Sequence, residues 1–367
     1  MTLGADELVL KLVLLKCGWV TRLQWQATLE ERRRLKGEKT LTQILSEGGI
    51  LKPEQARIVV DPLRRKDYLK ELVDAERRFW EKAPARIGPY LVLGFHARGG
   101  RAVIFRGEMA GGQVAAIKVL SEAFAFDLEE LERFQRQRDY GLMLDHTNLI
   151  KVHDAGWEGT VPFLVMGWVE GQPLAEHLEE NRALDLKTLV ALFTQACRGM
   201  AHAHERGILH KDLKPDNLLV DRMDHLVVSD FGVAQRIGEA MEPGIIVGTP
   251  AYMSPEQAWG RTLDARADIF SLGAALYECL TRQQPFQGPH RHAVLDAAAA
   301  WNFKPPRALN PAIPEALEAV VLKAMAKRPQ DRYASMEAFE KDLLQWEEGG
   351  AVGARRTWMG RLLGREK

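Results

Sequence analysis

The sequence predicts an α+β protein, and three observations carry that prediction. Apolar residues recur at helical spacing over 1–60 and again over most of the chain beyond Leu174. Between Tyr90 and Leu120 the period changes, and β-branched or aromatic runs are separated by a Gly-Gly pair. The strands come first as a linked group and the helices follow, the order of a small antiparallel sheet leading into a helical domain. The 367 residues suffice for two or three domains, and 46% hydrophobic with 27% charged residues is a globular composition.

Charge and cysteine content exclude several classes. Fifty Lys+Arg balance 50 Asp+Glu, so no nucleic-acid partner is expected, because duplex binding needs a basic surface. Three scattered cysteines form no CxxC pair and no disulfide framework, which suits a reducing compartment. The greasiest stretch, Leu8 to Leu15, is interrupted by Lys11 and falls far short of the roughly 18 apolar residues a membrane span needs. Asp6 and Glu7 stand where a signal peptide carries basic residues, so the expected address is the cytoplasm.

Taken in order, residues 1–60 read as short amphipathic helices. Leu8, Leu12 and Leu15 form one stripe, and Leu41, Ile44 and Leu45 form another. Gly18 and Gly49 end the two stripes in similar phrases 31 residues apart, which predicts a duplicated helical hairpin. The arrangement resembles the N-terminal helical modules of type II secretion ATPases, some of which bind cyclic di-GMP. Those binders carry an Arg-Leu-Gly phrase where this chain has Val9-Leu10-Lys11, so a helical interaction domain is the expected role. A charged helix from Asp67 to Lys82 follows, and Pro84 with Gly88-Pro89 marks a boundary. Strands are expected at Tyr90–Leu93, Ala102–Arg106, Gln113–Leu120 and Phe163–Val169, with a hairpin turn at Gly111-Gly112.

The chemistry sits in three phrases. In the strand ending at Lys118, period two puts Val114, Ala116 and Lys118 on one face, where the lysine can reach a phosphate while Ala116 meets a flat ring. His210-Lys211-Asp212-Leu213-Lys214-Pro215-Asp216-Asn217 gathers a carboxylate that can accept a proton, a lysine for a phosphoryl group and an amide for a metal. Asp230-Phe231-Gly232 follows an apolar strand, a natural setting for a Mg²⁺ ligand.

Together these phrases resemble a eukaryotic-like Ser/Thr protein kinase of the kind also found in bacteria. The resemblance runs from about Ile87 to Trp346 and includes Gly248 to Glu256, Asp268 and Arg332, the last expected to pair with Glu256. It implies a bilobal kinase fold at 84–348, with a sheet lobe at 84–169 and a helical lobe at 170–348. An all-α module occupies 1–83 and a basic tail 349–367.

The resemblance also implies ATP and Mg²⁺ as cofactors and a protein hydroxyl as acceptor. Asp212, Lys214 and Lys118 would be catalytic, and Asn217 and Asp230 would hold the metal. Val103, Ala116 and Leu219 would sandwich adenine, while Met166, Trp168 and Val169 form the hinge. Gly94, Gly99 and Gly100 are the glycines available to the phosphate loop.

Three departures bear on activity. Counting back from Lys118 puts the glycine positions of the loop on His96, Arg98 and Arg101, as if two residues were inserted after Gly94. Such a loop either clamps phosphate by charge or blocks the site. The helix residue expected to pair with Lys118 falls on Gln137 in place of Glu. Residues 231–248 hold no Ser, Thr or Tyr, and Lys211 replaces the usual Arg, so phosphorylation cannot order that loop from within. The alternative function is a pseudokinase scaffold acting through protein interactions.

His202, His204 and His210 are expected to be structural, with no metal. The tail at 354–367 interleaves Trp358, Met359, Leu362 and Leu363 with basic residues and reads either as a membrane-surface or partner helix or as a frayed end.

Overall fold

A computed structural model describes residues 10, 13–14, 19–20, 22–35, 38–61, 64–65, 67–68, 70–71, 85–99, 101–120, 128–158, 161–179, 184–239 and 246–349. The chain divides into two compact units, one of 1–142 with 152–168, the other of 143–151 with 169–367. Cys17, the expected boundary at Pro84, Gly100, most of the charged helix and the basic tail lie outside the described residues.

Three helices are described in the N-terminal part: α1 (Arg22–Arg34), α2 (Leu41–Glu47) and α3 (Pro53–Val60). Thr40 caps α2 in a reciprocal box with Gln43, and Pro53 opens α3, where its missing N–H costs nothing. Leu10, Leu14, Val20, Trp25, Leu41, Leu45, Leu51 and Val59 are buried together. One backbone pattern recurs at the 31-residue spacing. Trp19 and Val20 N–H both donate to Leu14 O, at 2.9 and 3.4 Å, and Ile50 and Leu51 N–H both donate to Leu45 O, at 3.1 and 3.3 Å.

A six-stranded antiparallel sheet follows: β1 (Arg86–Ile87), β2 (Tyr90–Arg98), β3 (Ala102–Glu108), β4 (Val114–Leu120), β5 (Val152–Glu158) and β6 (Val161–Gly167). Its order is β1-β2-β3-β4-β6-β5. Gly111 and Gly112 both have positive φ, 93° and 85°, as the turn between β3 and β4 requires. One face buries Val103, Phe105, Ala115, Ile117, Val119, Phe163 and Val165. Helix α4 (Leu128–Gly141) belongs to the same unit.

The second unit is mainly helical. Its described helices are α5 (Leu174–Glu179), α6 (Leu186–Glu205), α7 (Pro255–Ala258), α8 (Arg266–Thr281), α9 (Arg291–Ala300), α10 (Pro306–Leu309), α11 (Glu315–Ala324) and α12 (Met336–Glu347). Short strands β7 (Gly171–Pro173), β9 (Leu218–Asp221) and β10 (Leu226–Val228) form one sheet, and β8 (Ile208–Leu209) pairs with β11 (Gln235–Arg236). Residues 143–151 run with this unit and not with helix α4 before them or strand β5 after them. Val228 N–H donates to Asn148 O at 2.9 Å, and Ile150 N–H donates to Val228 O at 2.8 Å.

Helix α8 is buried along nearly its whole length, including the carboxylate of Asp268. Arg332 grips Glu256 of α7 with both terminal nitrogens, at 2.6 and 2.7 Å, the pairing expected from sequence.

Candidate active site

In the first unit, strand register decides which side chains share the face of Lys118. Lys118 lies opposite Ile104 on β3 and Leu164 on β6, while Ala116 lies opposite Arg106 and Met166. Directly opposed residues in an antiparallel pair point the same way. Ile104, Ala116, Lys118 and Met166 therefore line one face.

Val103 does not. It pairs with Val119, is 1% exposed and packs in the apolar layer on the far face. Counting back from Lys118 is off by one residue, and in a strand of period two that slip reverses the face. Ile104 takes the place expected of Val103.

The same correction shifts the glycine loop. With Ile104 as its end point, the three glycine positions fall on Ala97, Gly99 and Ala102, all small residues. Gly99 N–H donates to Ala102 O at 2.9 Å and closes the hairpin between β2 and β3. The two extra residues are taken up as irregularities between Val92 and Gly94 and between Phe95 and Ala97. One precedes Gly94 and one follows it, so they are not both inserted after it. Gly94 itself sits within β2, opposite Arg106 and short of the hairpin tip.

Lys118 Nζ donates to Gln137 Oε1 at 2.9 Å, so the helix residue found by counting does face the lysine. Gln137 is buried and brings no charge. Trp168 closes the unit. The edge of His96 packs on its ring at 4.7 Å between centroids, and the Arg106 guanidinium lies 5.6 Å from the ring centroid.

In the second unit, a single buried carboxylate holds the loop before Asp212. Asp268 accepts from the backbone N–H of His210 at 2.9 Å and of Lys211 at 2.8 Å, and its Oδ2 lies 2.8 Å from His204 Nε2. Burial pushes this carboxyl up, but the His204 ring, the neighbouring His210 and its N–H together hold it below the ordinary carboxylate value. The grip bends Lys211 into left-handed backbone, φ 71°. His210 Nδ1 accepts from Asp212 N–H at 3.2 Å, which leaves Nε2 to donate to Ser229 O at 2.9 Å.

Asp212 is set from three sides. Thr249 N–H donates to Oδ1 at 2.7 Å, Asn217 Nδ2 donates to the Asp212 carbonyl at 2.7 Å, and Lys214 Nζ lies 3.6 Å from Oδ2. Lys214 also donates to Thr249 Oγ1 at 3.1 Å. The carboxylate, lysine and amide of the sequence phrase do converge, and Thr249 is the member that sequence reading left out of the cluster. Gly248, φ 116°, was the available signal, because a turn of that kind swings the next N–H inward.

Asn217 spends its amide nitrogen on Asp212, and its oxygen necessarily points the other way. Asp230 follows β10 in left-handed backbone, φ 65° and ψ 69°, with Phe231 buried against His210 at 4.7 Å. Two oxygen donors, one amide and one carboxylate, suit a hard divalent cation that keeps waters and phosphate oxygens as its other ligands. The histidines do not compete for that role: His204 and His210 have the partners above, and His202 Nε2 accepts from Asp145 N–H at 3.2 Å. Leu219 is half-buried in β9, and Val169 is half-buried where the chain enters this unit.

A model of the protein kinase domain matches residues 97–344. The serine/threonine-protein kinase Pkn1 of Myxococcus xanthus is 36% identical over 287 residues, covering 76% of this chain and 41% of that protein. PrkC of Bacillus subtilis is 34% identical over 267 residues, 70% of this chain and 40% of that protein. PknB of Mycolicibacterium smegmatis is 34% identical over 250 residues, 66% and 40%. The chain thus spans about two fifths of the length of these curated relatives.

Proposed function

Because this chain belongs to the protein kinase domain family, we propose that it is a Ser/Thr protein kinase transferring the γ-phosphoryl group of ATP to a protein hydroxyl. The observation that carries the reading is the cluster at Asp212, where a backbone N–H, an amide and a lysine orient one carboxylate. Asp212 would take the proton of the acceptor hydroxyl as its oxygen bonds to phosphorus and the bond to ADP breaks. Lys214 would steady the transferring group, and Lys118 the α and β phosphates.

Asn217 and Asp230 would hold Mg²⁺, whose charge offsets that of the phosphates when it is bound. Ile104, Ala116 and Leu219 would contact adenine, and the backbone of Met166 to Val169 would read its edge.

Labelled γ-phosphate transfer to the protein itself and to a generic basic protein tests the reading, with Asp212→Asn alongside. Incorporation that disappears in the variant is expected. A folded protein without incorporation favours the scaffold alternative, for which the neutral Gln137 beside Lys118 is the specific observation. Mg·ATP should also raise the melting temperature of a nucleotide-binding chain.

Residues 1–83 belong to this proposal as a helical interaction module with a regulatory partner, following the weak likeness to secretion ATPase modules. Cyclic di-GMP should leave the melting temperature of the full chain unchanged, and stabilisation would make the module a sensor. A cytoplasmic setting completes the reading, supported by the free, buried thiols of Cys197 and Cys279. No helix among the described residues is long and apolar enough to cross a membrane. Contact of the basic tail with a membrane is tested by liposome binding before and after its deletion.

A further inference from the structure

Arg291 is the first residue of α9, which packs against residues 250–252 and against α7. Its side chain is exposed, and its Nη2 donates to Ile246 O at 3.2 Å and to Gly248 O at 3.5 Å. Two carbonyls aim the guanidinium but neutralise none of its charge. Its Nε and Nη1 remain as donors, and no carboxylate meets them among the described residues.

The carboxylates of the same region are committed or lie to one side. Glu256 is held by Arg332, Asp212 accepts from Thr249 N–H, and Glu278 accepts from the Tyr252 hydroxyl at 2.6 Å. Asp216 is exposed, and its charge acts on Tyr252 and Glu278. Negative charge therefore gathers by Tyr252, and an uncompensated positive charge stands at 246–248.

That charge is close to the candidate catalytic group. Gly248 O and Thr249 N belong to one peptide unit, and Thr249 N–H reaches Asp212 Oδ1 at 2.7 Å. The guanidinium is therefore no more than about 9 Å from the Asp212 carboxylate. An extended chain advances about 3.3 Å per residue. A hydroxyl held at Asp212 thus brings side chains two or three residues away within reach of Arg291.

We propose that Arg291 selects the protein acceptor by pairing with a carboxylate two or three residues from the hydroxyl that receives the phosphoryl group. The proposal rests on the kinase reading and names the acceptor class, a segment acidic on one side of its Ser or Thr. Arg291 meets the acceptor away from the reacting atoms, so it sets acceptor affinity and leaves the chemical step alone.

The test uses the full chain and serine peptides that carry Asp, Gln or Lys at both positions, on one side of the Ser or the other. Wild type is compared with Arg291→Gln, Arg291→Lys and Arg291→Glu. The readouts are kcat and KM for each peptide, and peptide binding by fluorescence anisotropy without nucleotide.

We expect the Asp peptide to be favoured over the Gln peptide on one side only, through KM. The factor should be about fivefold, the upper range for one exposed ion pair. Arg291→Gln should erase that preference and leave kcat for the Gln peptide unchanged. Arg291→Lys should keep part of it, and Arg291→Glu should favour the Lys peptide instead. An equal fall for every peptide in Arg291→Gln would mean that Arg291 only holds the 246–248 backbone, and would overturn the proposal. Transfer with no preference for Asp on either side, or with one that survives Arg291→Glu, overturns it too and leaves the kinase reading intact. Arg291-dependent binding of the Asp peptide by a chain that transfers nothing removes the kinase reading and keeps the acidic-segment site. Neither transfer nor such binding removes both.

Discussion

Replacing Glu256 by Gln should damage the helical unit severely, because Glu256 is the carboxylate that the Arg332 guanidinium binds with both terminal nitrogens. The Arg332 side chain is fully buried. Its Nη1 and Nη2 donate to the Glu256 oxygens at 2.6 and 2.7 Å, and its remaining donors reach the carbonyls of Ala326, Arg266 and Lys327 at 2.8, 2.9 and 3.1 Å. Glutamine keeps one acceptor and turns an NH₂ toward the other guanidinium nitrogen. The negative charge is lost while the positive charge stays buried.

Breaking a buried pair from one side costs about 3–5 kcal/mol, and the lower end applies because one hydrogen bond survives. At about 2–4 °C per kcal/mol for a domain of this size, the melting temperature should fall by about 6–12 °C. Differential scanning calorimetry measures this directly. Removing both charges with Glu256→Leu and Arg332→Met should recover most of the loss, since an apolar pair carries no stranded charge. A fall below about 2 °C in the single variant, or a double variant no better than the single, would refute the reasoning.

Three further outcomes follow from the geometry. Ile104→Ala should weaken Mg·ATP binding about tenfold by equilibrium titration, while Val103→Ala should leave binding intact and cost about 2 kcal/mol in urea unfolding, because the two residues face opposite sides of the sheet. Gly248→Ala should lower activity and stability together, by about 1–3 kcal/mol for the latter. Its φ is 116°, and an added Cβ would sit 2.9 Å from Lys211 O. Burial, helped by the Arg206 charge, holds the His202 ring below the ordinary histidine value, as burial and the Arg198 and Arg206 charges do for His146. These rings bind protons more readily when unfolded, so stability should fall as pH drops below about 6.5, and His202→Gln should flatten that slope in unfolding titrations.

Much of this architecture was legible because local chemistry and final placement agree. The Gly111-Gly112 turn, the β4 alternation around Lys118 and the Asp212 to Asn217 phrase each specify their geometry within a few residues. Strand β5 was not legible. Val152-His-Asp-Ala-Gly-Trp-Glu158 has no β-branched run, and it is a strand because β6 offers a paired edge. Val103 failed for a different reason. Which face a strand residue occupies depends on pairing register, and register was counted across a hairpin whose length the sequence does not declare. The Arg101 and Glu130 contact was hidden for another reason, being 29 positions apart with no motif to join them.

The segment from Phe231 to Gly248 holds no Ser, Thr or Tyr, and amide contacts tie its described flanks. Related kinases commonly order this loop by placing a phosphate against the arginine that precedes the catalytic Asp. Here that residue is Lys211, and its Nζ donates to Gln235 Oε1 at 2.7 Å in a buried setting. Gln235 Nε2 in turn donates to Glu239 O at 3.3 Å, and β11 pairs with β8 just before His210. Farther along, Gln257 Nε2 donates to Lys211 O and Val247 O, at 2.8 and 3.1 Å. Two glutamine amides therefore hold Lys211, one at its ammonium and one at its carbonyl, and they hold the flanks of the segment to the 210–217 loop. An amide contact of this kind needs no added charge and cannot be removed by a phosphatase. These contacts tie the described flanks of the segment, 231–239 and 246–248, to Lys211 without a phosphate.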